Sequence, residues 1–427
     1  MAIIRAHQRN KQVGLDVEIL LVEDQRSLAQ MAARMLYERW GCHVLIAENL
    51  AQVKTIIAQN KHHFFVAVSD LNLPDAPHGE VIDVLIEANI QVVAMTGLYD
   101  EELHERIMSR GVIDYVLKDS INSYEYIVEL VGRLFRNRQS RVLVVDDSES
   151  IRSVLTGMLK TQGLQVVTAN NGIEGLAMLE QYRDIRLVLL DHEMPGMDGF
   201  NFLSSVRRKL PRDRLAVIGM SGTGSTRMSA QFLKLGANDY ICKPFSYEEL
   251  VCRVSQNLEM QESVEAMRHL AQHDYLTGLY NRRAFFEQGS RLFDESVGAG
   301  RPLAAAVMDI DFFKKINDSH GHDGGDVVLK HFSALLREHF SAQLTARVGG
   351  EEFFLLFTDA EKAADECESF RLKVAQSQIR FNEAVINFTI SIGMTRHLSS
   401  SLDGMLKLAD ENLYHAKQTG RNRIVLS

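Results

Sequence analysis

Two glutamates stand directly in front of an apolar run in VGGEEFFLLF, residues 348–357. Gly349 and Gly350 permit the positive backbone angles of a tight turn, so the run predicts a hairpin that enters a buried strand. The turn itself does not require Glu351 or Glu352. Adjacent strand residues point to opposite faces, so at most one of the two addresses a given site as a metal ligand; solvated turn acids are the alternative.

A second acidic pair precedes this run. Asp309 and Asp311 are two positions apart at the end of the predicted strand AAAVMDI, so they share a face. Asp309 and Glu351, from neighbouring strands, would bring two carboxylates to a common cation, an arrangement that suits phosphoryl or nucleotidyl transfer. Four cations are candidates to neutralise a triphosphate: Lys314, Arg347, Lys417 and Arg421. The last two share a helix face if the helix reaches them both, or they simply decorate a helix end.

The first part of the chain carries one ordered set of such residues twice, at almost constant spacing. Each set consists of an acidic pair, a central aspartate, a hydroxyl residue and a lysine. The sets are Glu23, Asp24, Asp70, Thr96 and Lys118, and then Asp146, Asp147, Asp191, Ser221 and Lys243. An aspartate at a strand end is by itself a common turn residue, but five residues recurring in order indicate two copies of one domain.

Short apolar runs alternate with segments of helical period in each copy, which predicts a doubly wound parallel sheet in an α/β fold. Ligands of such sheets bind beyond the carboxyl ends of the strands, where every residue of the two sets falls. The carboxylates would hold Mg²⁺, the central aspartate would accept a phosphoryl group, and the lysine and hydroxyl would contact the phosphoryl oxygens.

The repeated pattern resembles the receiver domains of two-component response regulators over residues 17–138 and 140–255. The resemblance implies a flavodoxin-like (βα)5 fold, one Mg²⁺ per domain, and phosphorylation of Asp70 or Asp191 by a histidine kinase or phosphotransfer protein. In the first copy Glu replaces the usual first Asp, and Lys-Asp replaces Lys-Pro. The implied metal ligands are Glu23, Asp24, Asp70 and the carbonyl of Asn72, then Asp146, Asp147, Asp191 and the carbonyl of Glu193. The implied switch residues are Thr96, Tyr115, Lys118, Ser221, Tyr240 and Lys243.

The remainder, residues 273–427, resembles the GGDEF family of diguanylate cyclases in three motifs: HDYLTGLYNRR, GGEEF and YHAKQTGRNR. The resemblance implies an α+β palm domain like that of nucleotidyl cyclases. The implied ligands of two Mg²⁺ ions are Asp309, the carbonyl of Ile310 and Glu351, with Glu352 in support. The implied substrate-binding residues are Lys314, Asn317, Asp326, Leu329, Arg347, Gly350, Lys417 and Arg421. Asp326 suits the N1 and N2 donors of guanine, and its alternative is a helix N-cap.

In this family each domain holds one GTP, and a homodimer joins two GTP molecules into cyclic di-GMP with release of pyrophosphate. The sequence therefore predicts a diguanylate cyclase regulated by phosphorylation. The alternatives are a non-catalytic adaptor or nucleotide-binding scaffold, and a phosphate sink for a kinase. Many relatives carry an Arg-x-x-Asp product-inhibition site before GGEEF, but here Phe340 and Gln343 stand in its place, which predicts weak or absent feedback.

The second copy is expected to continue through a helical connector, residues 256–272, whose apolar seam changes register near Leu258. Such a helix suits pairing with a partner helix, and packing on its own domain is the alternative. A net charge of −9 argues against nucleic acid or an anionic membrane as the main partner. Four cysteines without metal-ligand spacing, and no apolar leader or membrane span, lead us to expect a cytoplasmic protein.

Overall fold

The computed structural model describes residues 15–427, with the exception of 60, 98–99, 223–225 and 383. The chain divides into two compact units, Met1–Glu262 and Ser263–Ser427. The opening stretch 1–14, on which the expectation of no leader depends, lies outside the described residues. Across the described ranges, no helix has both the length and the apolar character needed to cross a membrane.

The first copy forms a five-stranded parallel sheet with a helix after every strand. Its strands are β1 (Glu18–Val22), β2 (His43–Ala47), β3 (Phe64–Asp70), β4 (Val92–Thr96) and β5 (Asp114–Leu117). Its helices are α1 (Arg26–Trp40), α2 (Leu50–Ala58), α3 (Glu80–Glu87), α4 (Glu101–Met108) and α5 (Ile121–Asn137). The spatial order β2-β1-β3-β4-β5 is doubly wound, so the predicted fold is confirmed and the carboxyl ends meet at one edge.

The second copy repeats this topology. Its strands are β6 (Arg141–Val145), β7 (Gln165–Ala169), β8 (Ile185–Asp191), β9 (Ala216–Ser221) and β10 (Asp239–Cys242). Its helices are α6 (Glu149–Thr161), α7 (Gly172–Gln181), α8 (Gly199–Arg207), α9 (Thr226–Leu235) and α10 (Tyr247–Gln272). The order β10-β9-β8-β6-β7 matches that of the first sheet. Ser148 caps α6 by accepting a hydrogen bond from the amide of Ile151, which fixes the helix start directly after the acidic pair.

Helix α10 continues well past the body of the second copy, as the sequence predicts. It runs without interruption for 26 residues. Leu258 is buried in the core of the second copy, whereas Met260, Met267 and Leu270 are 66%, 69% and 72% exposed. The apolar seam therefore leaves the domain surface after Leu258, and the partner helix for the exposed part stays a prediction.

The C-terminal unit has a six-stranded mixed sheet and a separate two-stranded sheet, flanked by helices. Its strands are β11 (Tyr280–Asn281), β12 (Ala304–Ile310), β13 (Leu344–Gly349), β14 (Glu352–Phe357), β15 (Ile379–Phe381), β16 (Ala384–Ile386), β17 (Ile390–Thr395) and β18 (Ile424–Leu426). Its helices are α11 (Arg282–Gly298), α12 (Phe313–His339), α13 (Ala363–Gln376) and α14 (Leu402–Gln418). The main sheet has the order β11-β13-β14-β12-β17-β18, and β15 pairs with β16 separately. The four central strands are antiparallel, which confirms the predicted palm.

Helix α14 packs closely on this sheet through a glycine. A Cβ atom on Gly393 of β17 would lie 2.0 Å from the carbonyl oxygen of Ala409 and 2.0 Å from the amide nitrogen of Leu413. Only glycine permits so close an approach of helix and strand. Helix α14 also contacts β12, and Lys417 in its last turn lies 2.8 Å from Asp309 near the end of that strand.

Candidate functional site

The carboxyl edge of the first sheet collects three acidic side chains. Glu23, Asp24 and Asp70 have carboxylate oxygens that all lie within 4.8 Å of one another. Burial raises the pKa of Glu23, and the charge of Asp70 raises it further. Acidic oxygens that repel one another and are partly withdrawn from water fit a hard divalent cation such as Mg²⁺. In the described ranges, no other such group of three is as compact.

A lysine joins the acidic residues in both copies. Lys118 Nζ lies 2.5 Å from Glu23 Oε2 and 2.6 Å from Asp70 Oδ2. In the second copy, Lys243 Nζ lies 2.6 Å from an oxygen of Asp146 and 2.7 Å from one of Asp191. The structure thus brings together the predicted lysine and the predicted phosphoacceptor twice.

The second copy keeps the electrostatics of a phosphoacceptor site, although its acids are more widely spread. Burial raises the pKa of Asp191, and the charges of Asp146 and Asp147 act in the same direction against Lys243. Burial disfavours the charged form of Lys243, but its hydrogen bonds to Asp146 and Asp191 outweigh this effect and raise its pKa. Asp147 is exposed and thus open to solvent and to an incoming cation.

The residue two positions after each central aspartate lies beside its carboxylate. The amide of Asn72 donates to Asp70 Oδ1 at 3.0 Å, and the amide of Glu193 donates to Asp191 Oδ2 at 3.1 Å. This bond holds the loop after β3 or β8 next to the carboxylate. The role of the two carbonyls as metal ligands stays a prediction.

The predicted switch residues occupy matching places in the two sheets. Thr96 and Ser221 end β4 and β9, and each is 1% exposed. Tyr115 packs edge-on against His104 with ring centroids 5.0 Å apart, and Tyr240 packs against Phe232 at 5.8 Å. Both tyrosines are half-buried, one strand away from the hydroxyl residue. Their positions agree with the repeat, while their switching role stays a prediction.

The acids of the C-terminal unit meet at the ends of β12 and β14. The register pairs Asp309 with Glu352, and the amide of Ile310 donates to the carbonyl of Glu351 at 3.3 Å. Gly350, with φ of 37°, makes the turn that presents the two glutamates. Glu351 is half-buried in that turn and Glu352 is exposed at the strand start. The hairpin prediction is confirmed. The charge of Glu351 acts on Asp309, but the role of the two carboxylates as ligands of a common cation stays a prediction.

Asp309 is an acid in an unfavourable place. It is 6% exposed, and burial raises its pKa to about 6, with further contributions from the charges of Glu351 and Glu352. Lys417 Nζ opposes this shift from 2.8 Å away from Asp309 Oδ2. Buried carboxylate oxygen next to two further acids is the donor set that a divalent cation prefers. These residues therefore fit the implied Mg²⁺.

Helix α14 includes Lys417 but does not reach Arg421. Helix α14 ends at Gln418, and Arg421 has a left-handed backbone with φ of 61°. The two cations therefore do not share a helix face, because the chain turns after Gly420. Arg421 instead lies against the ring of Phe312, with its Cζ atom 4.4 Å from the ring centroid.

Arg347 has protein partners that the sequence did not reveal. Its guanidinium donates to Asp274 Oδ1 at 3.0 Å and to the carbonyl of Gly350 at 2.9 Å. Hydrogen bonds from Thr277 and Arg347 outweigh burial and lower the pKa of Asp274. Arg347 thus stabilises the GGEEF turn through the carbonyl of Gly350. Its contact with a triphosphate stays a prediction. The membership of Asp274 in the opening motif HDYLTGLYNRR is the sequence feature that could have indicated this partner.

The predicted guanine-binding residues lie on α12, which is broken at Gly321 with φ of 71°. Asn317 precedes the break and Asp326 follows it, and both are half-buried. Asp326 is inside the helix, so the alternative that it caps a helix start is wrong. A Cβ on Gly325 would lie 1.9 Å from Asn317 Oδ1, so glycine is what allows Asn317 its position.

Two further members of the predicted set differ in exposure. Leu329 is 2% exposed and belongs to the main core of the unit. Any contact that it makes with guanine is therefore through its outer edge. Lys314 is exposed at the start of α12.

Asp311 has a positioning role that sequence reasoning missed. Its carboxylate accepts hydrogen bonds from the hydroxyls of Thr389 and Ser391, each at 2.6 Å, and from the amide of Asn422 at 3.0 Å. Asp309 and Asp311 therefore do not share one cation as their partner. Asp311 ties β17 and the loop after α14 to the end of β12.

The stretch before GGEEF has no charged pair. Phe340 is 2% exposed and packs on Phe370 with ring centroids 5.0 Å apart, so its position belongs to the core. An Arg-x-x-Asp sequence does occur at Arg291 to Asp294, but it lies on α11, where Arg291 pairs with Glu287 at 3.7 Å. Weak or absent feedback stays a prediction.

Comparison with known proteins places both parts of the chain. The family described as response regulator receiver domain matches residues 19–128 and 142–255, together more than half of the chain, and the family described as diguanylate cyclase, GGDEF domain matches residues 271–423. The chain belongs to the response regulators that carry a GGDEF domain. The fold and the motifs of all three segments agree with this membership.

Three relatives illustrate the similarity of this response regulator. Response regulator PleD of Caulobacter vibrioides is 32% identical over 299 residues, which cover 67% of this chain and 65% of that protein. Diguanylate cyclase DgcM of Escherichia coli is 35% identical over 180 residues, 41% of this chain and 43% of that protein. A solved structure of a two-component system response regulator/GGDEF domain protein is 41% identical, with 58% of this chain and 100% of that chain covered and a TM-score of 0.54.

Proposed function

We propose that the chain is a phosphorylation-regulated diguanylate cyclase, which condenses two GTP molecules into cyclic di-GMP and releases two pyrophosphates. The observation that carries the proposal is the buried carboxylate of Asp309, which lies among the charges of Glu351, Glu352 and Lys417. An acidic centre flanked by a cation suits a reaction in which metal ions and a polyphosphate meet. The match to the GGDEF family and the similarity to DgcM support the same reaction.

The residues around Asp309 have separate tasks. Asp309, Glu351 and the carbonyl of Ile310 would hold two Mg²⁺ ions, which when bound polarise the α-phosphate and activate the 3′-hydroxyl. Glu352 lies opposite Asp309 in the strand register, where its negative charge would help to hold the metal ions. Lys417 would exchange its contact with Asp309 for one with a phosphate oxygen.

The remaining substrate contacts divide between base and phosphates. Asn317 and Asp326 would hydrogen-bond the guanine edge, and an acid at this place favours guanine because adenine lacks the N1 and N2 donors. The exposed Lys314 and the half-buried Arg421 would neutralise the triphosphate. In each half-reaction a 3′ oxygen bonds to the α-phosphorus of the facing GTP, and the bond to the leaving pyrophosphate breaks.

One chain supplies only half of the reacting pair, so catalysis requires a homodimer. Bringing two bound GTP molecules into the correct orientation can contribute about 7–11 kcal/mol to lowering the barrier. The exposed apolar residues of α10, Met260, Met267 and Leu270, offer a face for the same helix of a second copy. The geometry of the dimer is therefore the quantity that regulation would change.

Phosphorylation at Asp70 or Asp191 by a histidine kinase or phosphotransfer protein is the proposed input. The receiver domains would comprise residues 17–138 and 140–255, with a connector at 256–272 and the cyclase domain at 273–427. Asp191 is expected to matter more, because its domain continues directly into α10. The first receiver also contacts the start of α10, since Tyr247 Oη donates to the carbonyl of Ile113 at 3.0 Å.

Turnover of GTP by the full chain tests the proposal. Purified protein is incubated with GTP, Mg²⁺ and beryllofluoride as a phosphoryl mimic, and products are separated by chromatography. Asp309→Asn should reduce cyclic di-GMP formation by at least a hundredfold, because it removes a charged metal ligand. The matched control Asp294→Asn, at an exposed position of α11, should retain the wild-type rate.

Two outcomes would contradict the proposal. Equal rates in wild type and Asp309→Asn would show that the chemistry occurs elsewhere. Binding of GTP by wild type without any product under these activating conditions would favour the non-catalytic adaptor instead.

A further inference from the structure

Phe312 is an exposed aromatic residue in an uncommon backbone conformation at the edge of the candidate site. It is 52% exposed, and its φ of 57° and ψ of 29° lie in the left-handed region. Bulky residues rarely adopt this region. Because about half of the ring is exposed, hydrophobic burial contributes little to its stability there. Neither core packing nor the roles proposed above account for an aromatic side chain at this position.

Two cations lie against this ring. The Cζ atom of Arg421 is 4.4 Å from the ring centroid, and Nζ of Lys315 is 4.7 Å from it. Both distances are within the range of about 6 Å in which a ring face attracts a cation. Within the part of the chain that the structure describes, the guanidinium of Arg421 forms no ion pair with a carboxylate. The ring therefore positions the guanidinium of Arg421 without neutralising its charge.

Two further links join the end of β12 and the loop after it to the end of α14 and the loop after it. Lys417 pairs with Asp309 at 2.8 Å, and the amide of Asn422 donates to Asp311 at 3.0 Å. These two links fix the backbone on either side of Arg421. The ring of Phe312 then fixes the tip of the Arg421 side chain, which is otherwise long and free to rotate.

We propose that Phe312 is a positioning residue that holds the guanidinium of Arg421 ready for the triphosphate of GTP. The inference rests on the function proposed above. A carboxylate in the place of the ring would compete with phosphate for the guanidinium, whereas an aromatic face orients the cation and leaves its N–H donors available. Phe312 therefore strengthens binding of the polyphosphate and contributes nothing to recognition of guanine.

A double-mutant cycle tests the proposal on the full chain. Phe312→Ala, Arg421→Ala and the double variant are titrated, in the presence of Mg²⁺, with guanosine 5′-[α,β-methylene]triphosphate, which cannot expel pyrophosphate, and with guanosine. Phe312→Ala should weaken binding of the triphosphate about 3- to 5-fold and leave guanosine binding unchanged. In the Arg421→Ala background the same change should have no further effect.

Two further variants distinguish the effect of the aromatic face from that of side-chain volume. Phe312→Trp keeps an aromatic face and should bind the triphosphate as well as wild type, whereas Phe312→Leu keeps apolar volume and should behave like Phe312→Ala. Melting curves of all variants show whether the C-terminal unit remains folded.

Specific results would overturn the inference. These are equal weakening of triphosphate and guanosine binding, the full effect of Phe312→Ala in the absence of Arg421, or complete recovery by leucine. If wild type binds neither probe, the proposed function itself fails. If wild type binds both and Phe312→Ala binds them equally well, only the role of Phe312 fails.

Discussion

Replacing Asp309 with asparagine removes a charge that folding puts in an unfavourable environment, so the variant should gain stability as it loses activity. Burial, with the charges of Glu351 and Glu352, raises the pKa of Asp309 from 3.8 to about 6. The nearby ammonium of Lys417 opposes this shift without cancelling it. Without a metal ion, the folded chain is therefore destabilised whenever Asp309 is ionised.

The sign and size of the effect follow from proton linkage. Between pH 3.8 and about 6 the unfolded chain has lost the Asp309 proton while the folded chain retains it. The free energy of unfolding of wild type therefore falls, relative to the variant, as pH rises through this window, and the deficit is complete above it. The penalty is about 1 kcal/mol at pH 4.5 and about 3 kcal/mol at pH 8. The neutral side chain of Asp309→Asn avoids it.

Urea unfolding in the presence of a chelator measures this difference. Circular dichroism follows the whole chain, and the fluorescence of Trp40, the one tryptophan, follows the N-terminal unit separately. Asp309→Asn should be more stable than wild type at pH 8 by up to about 3 kcal/mol, with a much smaller gain at pH 4.5. Addition of Mg²⁺ at pH 8 should stabilise the C-terminal unit of wild type more than that of the variant, whereas its effect on the Trp40 transition should be the same in both.

The surface variant Asp294→Asn serves as the control, because substitution of an exposed side chain is expected to change the free energy of unfolding little. A variant Asp309→Asn that is no more stable than wild type at pH 8 would refute a charge penalty at this position. An equal gain at both pH values would refute it as well, because the gain would then come from packing and not from charge.

Three further predictions concern regulation, substrate binding and feedback. Asp191→Asn should abolish the stimulation of cyclic di-GMP synthesis by a phosphoryl donor, whereas Asp70→Asn should retain part of it; a larger loss in Asp70→Asn would show the reverse hierarchy. Gly325→Ala should raise KM for GTP about tenfold in initial-rate assays, because the new Cβ displaces Asn317 from 1.9 Å away. Gly298→Ala, which meets nothing within 4 Å, is its control, and equal KM values would contradict the assignment. Added cyclic di-GMP should leave the initial rate unchanged, because no charged pair precedes GGEEF; strong inhibition at micromolar product would contradict this.

The fold and the main constellation of acids were predictable because they depend on local patterns. Alternation of strands and helices identifies each sheet, and the ends of parallel strands collect Asp70 with Lys118, and Asp191 with Lys243. Antiparallel pairing of two apolar strands likewise brings Asp309 to the GGEEF turn. No side-chain geometry is needed for these inferences.

Other parts of the site depend on partners far away in the chain, which local patterns do not specify. Arg347 finds Asp274 across 73 positions, and Asp311 finds the amide of Asn422 across 111. The end of α14 before Arg421 is set by a left-handed turn, so a helical spacing rule fails there. Long-range pairing and loop conformation are the two sources of the errors.

The most direct test of the proposed cyclase site is the location of a manganese ion, used in place of Mg²⁺, in crystals of the chain grown with guanosine 5′-[α,β-methylene]triphosphate. We expect an anomalous signal beside the carboxylates of Asp309 and Glu351, with the triphosphate at the metal and the base between Asn317 and Asp326. A cation bound elsewhere in the C-terminal unit, or a base remote from Asp326, would contradict it.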